Sequence, residues 1–111
     1  MNIRLIIPNI GNNGRSAPMA DYGRRIADIG GGFTSWQGIG GWRDHQDNLV
    51  VESVTIVDVS VPQENFYHEF QSAKYAPDEF RKLAADIARE LAQGCVCLSI
   101  DGVVEYIEKG D

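Results

Sequence analysis

The sequence predicts an α+β chain: an antiparallel sheet with two helices packed on one face. Three observations carry that prediction. Apolar side chains alternate with period two over residues 3–7, 49–60 and 95–100, as half-buried strands require. Apolar residues recur at three- and four-residue steps over 19–29 and 80–91, as amphipathic helices require. Glycine, proline and asparagine clusters punctuate these runs.

In chain order, Ile3, Leu5 and Ile7 alternate with Asn2, Arg4 and Ile6 in a first strand that Pro8 stops. A polar loop, Asn9 to Arg15, follows. Ser16 is placed to cap a helix with Pro18 in its first turn, and Met19, Tyr22, Ile26 and Ile29 form its stripe. Gly30-Gly31-Gly32 ends it. Phe33 to Trp42 is aromatic and glycine-rich, which predicts a strand with bends or bulges. After a polar turn at Asp44–Asn48, Leu49 to Ser60 closes a long hairpin. Residues 61–75 are irregular yet carry Phe66, Tyr67, Phe70 and Tyr75, so that stretch is expected to bury itself against its own chain or a neighbour. Pro77-Asp78-Glu79 opens a second helix with the stripe Phe80, Leu83, Ala84, Ile87 and Leu91, and Gly94 is its expected stop. Cys95 to Ile100 is a strand, Asp101-Gly102 a tight turn, and Val103 to Ile107 a short hairpin partner. This order, in a single domain spanning 1–111, is a ferredoxin-like βαββαβ layout.

With 43% hydrophobic and 23% charged residues, the chain has the composition of a globular domain. A net charge of -6 with scattered basic residues argues against nucleic acid and anionic membranes as partners. No run approaches the roughly 18 apolar residues of a membrane span, and no signal peptide is visible, so a cytoplasmic location is expected. Cys95 and Cys97 share one face of a strand, a poor geometry for a mutual disulfide, and read as buried reduced thiols. They cannot complete a structural zinc site, and His45 and His68 lack ligand spacing, so no metal is expected.

The longest strand is apolar on both faces. Val50, Glu52, Val54, Ile56 and Asp58 share one, and Val51, Ser53, Thr55, Val57 and Val59 the other. Two helices cover only one face, which predicts a homo-oligomer closed over the other. Glu52 projects from the mostly apolar row. It either meets a cation in a functional crevice or pairs with an exposed arginine near the strand end. Gly38-Ile39-Gly40-Gly41-Trp42-Arg43 fits either a pocket for a flat ligand or a bulged hairpin with a packed indole. The loop at 9–14, before a helix N-terminus, is either an anion seat or a plain turn.

At Trp42-Arg43-Asp44, at Glu52-Ser53-Val54-Thr55-Ile56-Val57 and at Gln93-Gly94-Cys95-Val96, the chain resembles the phage-encoded S-adenosylmethionine lyases, formerly described as hydrolases. The matching segments run in the same order over about residues 15 to 100. Residues Gly32 to Arg43 are also similar to an uncharacterised bacterial family of the same layout, which brings no activity with it. The lyase resemblance implies a carbon–sulfur lyase that splits S-adenosylmethionine into methylthioadenosine and homoserine lactone. It also implies a trimer with sites between subunits, no cofactor beside the substrate, and an anti-restriction role in the host cytoplasm. Glu52 takes the place of the family's key glutamate, gripping the substrate ammonium, with Trp42, Arg43 and Gly41 as substrate-binding residues. Trp42 departs from the family, which carries a tyrosine there. An indole donates a hydrogen bond but does not accept one as a phenol does. Two other readings stand beside this one. The first is a non-catalytic oligomer, such as a phage protein binding a host partner through its acidic surface and aromatic loop. The second is an enzyme acting on another small molecule between subunits.

Overall fold

A computed structural model describes residues 1–62 and 75–110. Seven elements follow in order: β1 (Asn2–Pro8), α1 (Met19–Gly30), β2 (Thr34–Arg43), β3 (Leu49–Ser60), α2 (Ala76–Glu90), β4 (Cys95–Ile100) and β5 (Val103–Glu108). They form one antiparallel sheet of order β2-β3-β1-β4-β5, the ferredoxin-like arrangement with β5 added at one edge. The aromatic residues Phe66, Tyr67 and Phe70, and His68 beside them, lie outside the described residues.

The core lies between the helices and one face of the sheet. Ile3, Leu5 and Ile7 of β1, Val57 and Val59 of β3, and Val96 and Leu98 of β4 meet Tyr22 and Ile26 of α1 and Phe80, Leu83 and Ile87 of α2. All are almost fully buried, each worth roughly 1.5–3 kcal/mol against exposure if aliphatic or phenyl. The period-two and period-3.6 patterns therefore face each other as the sequence predicts.

Local details differ. Ser16 does not cap α1; its backbone bridges Ile10, and the helix starts three residues later with Pro18 at its N-cap and no side-chain cap. Gly31 ends α1 in the left-handed region at φ 91°, donating its N–H to the Ala27 carbonyl. Helix α2 ends before Gly94. Ala92 takes the left-handed turn at φ 51°, and the Gln93 N–H closes onto the Ala88 carbonyl.

The reason lies in the Asn9–Arg15 loop, which the sequence left as an anion seat or a plain turn and which turns three of its donors onto the end of α2. The Asn12 N–H reaches the Leu91 carbonyl at 2.9 Å, Asn12 Nδ2 the Ala92 carbonyl at 3.0 Å, and Asn13 Nδ2 the Glu90 carbonyl at 3.1 Å. These bonds satisfy carbonyls that a helix end leaves unpaired. Gly11 permits the approach: a Cβ there would lie 2.5 Å from the Leu91 carbonyl oxygen and 2.9 Å from Leu91 Cα. Gly11→Ala should therefore cost about 1–3 kcal/mol in a urea titration, since backbone must shift. Gly94→Ala, which meets nothing within 4 Å, should stay within about 0.5 kcal/mol. Equal stability of the two variants would refute this account of the docking.

Strand β2 carries no bulge. Its residues pair one for one with β3 from Thr34↔Asp58 to Arg43↔Leu49. The glycines answer to crowding instead: a Cβ on Gly38 would sit 2.9 Å from Ile56 Cδ1, and one on Gly40 3.3 Å from Val54 Cγ1. Pairing between β1 and β3 stops at Pro8↔Val54. The β2–β3 hairpin consequently projects past the rest of the sheet. Ile39, Leu49 and Val51 stand exposed on its helix-side face.

The cysteines are not buried as expected. Val96 and Leu98 take the inward positions of β4, which leaves Cys95 exposed and Cys97 half-buried on the uncovered face. No described helix is long and apolar enough to cross a membrane.

Candidate functional site

The sheet face away from the helices carries two neighbouring rows. On β3 these are Val50, Glu52, Val54, Ile56 and Asp58. Opposite them on β2 stand Trp42, Gly40, Gly38, Trp36 and Thr34. Glu52 therefore has a glycine, Gly40, as its direct partner, and β1 has ended before reaching its level. Its side chain is half-buried, with the half-exposed Trp42 one pair farther along the hairpin, roughly 7 Å on.

Among the described residues Glu52 makes no hydrogen bond or ion pair, and burial alone pushes its pKa up. No arginine pairs with it among the described residues. Arg4, on the same face, donates Nε to Asp58 Oδ1 at 2.7 Å and Nη2 to Oδ2 at 2.9 Å. Asp58 stands six residues from Glu52 on β3, roughly 20 Å away. Hydrogen bonding to Arg4 holds the Asp58 carboxyl below its ordinary range. Glu52 is thus an uncompensated carboxylate flanked by apolar side chains. That arrangement favours a cation brought in from outside, an ammonium above all, because the pair forms charge-assisted hydrogen bonds where water is partly excluded.

The raised pKa has a consequence for stability. A carboxyl group whose folded pKa lies above its unfolded one contributes stability below the unfolded value, and this is lost as pH rises through the folded value. Glu52→Gln should accordingly gain on the unmodified chain between pH 4 and pH 7. The gain should be about 0.2–0.5 kcal/mol, because solvent screens most of the group. Thermal melts at the two pH values check this, and a constant difference would show that Glu52 is not desolvated.

Alternation along β2 separates the other residues expected at the site. Trp42 shares the face of Glu52, whereas Gly41 and Arg43 lie on the opposite one. Arg43 donates Nη1 to the Asp47 carbonyl at 2.8 Å, and the Asp47 carboxylate lies 3.5 Å away. Asp44 accepts the N–H groups of Gln46 and Asn48, both at 2.9 Å, and so ties the hairpin turn. Of Trp42-Arg43-Asp44, the indole alone faces the glutamate. His45 sits in this exposed turn.

Sequence reasoning missed two features at the other end of the same face. Trp36 lies under the Arg4 guanidinium, 5.4 Å from ring centroid to Cζ. Beside Arg4 and Asp58 opens a groove of about 390 Å³, also lined by Asn2, Ser60 and Ser99, at the end of the sheet away from Glu52. The alternate placement of Arg4 and Asp58 was visible, but their pairing depends on strand register.

No protein-family model matches the chain, and no curated protein does. Two solved structures do. A phage SAM lyase in complex with S-methyl-5'-thioadenosine superposes with a TM-score of 0.64 at 14% identity, over 96% of this chain and 88% of that one. A phage SAM lyase in the apo state superposes with a TM-score of 0.68 at 12% identity, over 99% of this chain and 90% of that one. Over nearly its whole length, the chain has the fold of these phage SAM lyases.

Proposed function

We propose that the protein is an S-adenosylmethionine lyase with Glu52 at its active site. One observation carries this reading: a half-buried carboxylate without a partner among the described residues, opposite a glycine, in a fold that phage SAM lyases share. In the reaction, the substrate's own carboxylate oxygen attacks its γ-carbon and the carbon–sulfur bond breaks. The bonding pair stays on sulfur, which becomes the neutral thioether of S-methyl-5'-thioadenosine. The other product is homoserine lactone. No water is consumed and no proton moves.

Such a reaction needs no protein nucleophile. Folding the substrate so that oxygen, carbon and sulfur align supplies the acceleration, and oriented intramolecular reactions gain several orders of magnitude this way. Glu52 holds the α-ammonium and thereby aims the carboxylate bonded to the same carbon. Trp42 faces the sulfonium with its indole. Apolar surroundings destabilise the sulfonium relative to neutral products. β1 pairing ends before the level of Glu52; in this reading a neighbouring copy completes the site there in a homo-oligomer, the trimer being what the lyase resemblance implies. Gly41 and Arg43, on the hairpin's other face, bind substrate in this reading only at a site shared with a neighbouring copy.

Incubation with S-adenosylmethionine followed by chromatography tests the proposal: S-methyl-5'-thioadenosine and homoserine lactone should appear in equal amounts. No product at high protein concentration would reject it. A second reading draws on the exposed Ile39, Leu49 and Val51 of the same hairpin: a non-catalytic oligomer that captures a partner protein. A stoichiometric complex without turnover would favour that one.

A further inference from the structure

Strand β4 places Cys95 and Cys97 two residues apart on the face that no helix covers, outside the site proposed above. Their spacing decides what they can do. Two rises of a strand separate their Cβ atoms by roughly 6.6–6.8 Å. A disulfide needs Cβ atoms about 3.5–4.5 Å apart, so the two thiols do not oxidise onto each other without breaking the strand. Their sulfurs, each one bond beyond its Cβ, can turn toward each other. One ion with metal–sulfur bonds of about 2.3 Å would hold them at most about 4.6 Å apart.

We propose that Cys95 and Cys97 form a two-thiolate site for a soft monovalent metal ion, Cu(I). Ligand count and softness select the ion. Zinc in a protein site takes four ligands, and among the described residues no group of three histidine, cysteine, aspartate or glutamate side chains converges. Calcium and magnesium take oxygen. Thiolates prefer Cu(I). The flanks suit such an ion: Ile6 of β1 pairs with Cys97 on one side and Tyr106 of β5 on the other. Two sulfur–copper bonds form as two thiol protons leave to solvent, and nothing is oxidised or reduced.

Anaerobic titration of the reduced full chain against a chromophoric Cu(I) chelator tests the site. One Cu(I) per chain should be withdrawn from the chelator. Cys95→Ser and Cys97→Ser should each weaken binding at least 100-fold, about 2.7 kcal/mol. Serine matches cysteine closely in size, and a circular-dichroism melt confirms that the variants fold. Failure of the unmodified protein to take copper from the chelator would overturn the proposal. So would wild-type affinity in either folded single variant, which would mean that one sulfur, or a pair bridging two copies, binds the ion.

Discussion

Glu52→Ala is expected to lower S-methyl-5'-thioadenosine formation at least about 100-fold without lowering thermal stability or changing assembly. The size follows from the role: a group that aims the reacting carboxylate controls attack geometry, and a misplacement of about 1 Å costs roughly 100-fold. Stability should not suffer, because Glu52 makes no bond within the described chain that alanine would break, and burial disfavours its charge. Glu52→Gln sharpens the test. The amide keeps the shape but not the charge that holds an ammonium, so the loss should persist. Comparison of initial rates at saturating substrate, with light scattering for subunit count, decides the matter. Full turnover by either variant would remove Glu52 from the site even if the protein is a lyase.

The second large effect is on folding. Phe80→Ala should destabilise the protein by about 3–5 kcal/mol, out of a total that for domains of this kind is about 5–15 kcal/mol. Phe80 is fully buried where three elements meet. It comes from the second helix, and a Cβ on Gly30 at the end of the first would lie 3.5 Å from its Cζ and 2.4 Å from Val59 Cγ1 of the sheet. The close approach at Gly30 leaves the neighbouring elements little freedom to collapse into the void, which favours the upper part of that range. Thermal melts should show a fall of more than about 10 °C. Phe80→Leu, which conserves more of the volume, should cost less than half as much. A shift of only a few degrees for Phe80→Ala would mean that the helix layer is not closed over this residue. The pair of predictions is complementary: one variant loses activity without stability, the other stability first.

Much of this was legible in the chain itself. The alternation in Ile3, Leu5 and Ile7 and the stripe from Phe80 to Leu91 depend on covalent geometry alone, so they announce element type and inward face before folding. The Asp101-Gly102 turn was equally local; both residues take positive φ, 49° and 84°. Even the separation of Trp42 from Gly41 and Arg43 was contained in strand alternation. The parity that sets Glu52 in an apolar row was legible for the same reason.

What the fold alone decided were relations between distant segments. Whether Arg4 met a carboxylate depended on strand register, which set it against Asp58. Whether the cysteines were inside depended on which face the helices took. Whether the second helix stopped at Gly94 or sooner depended on a loop some eighty residues earlier docking on its end. Local pattern specifies how each segment coils and which side is greasy. It does not specify which segments meet, because that choice is made by the packing of the whole core at once.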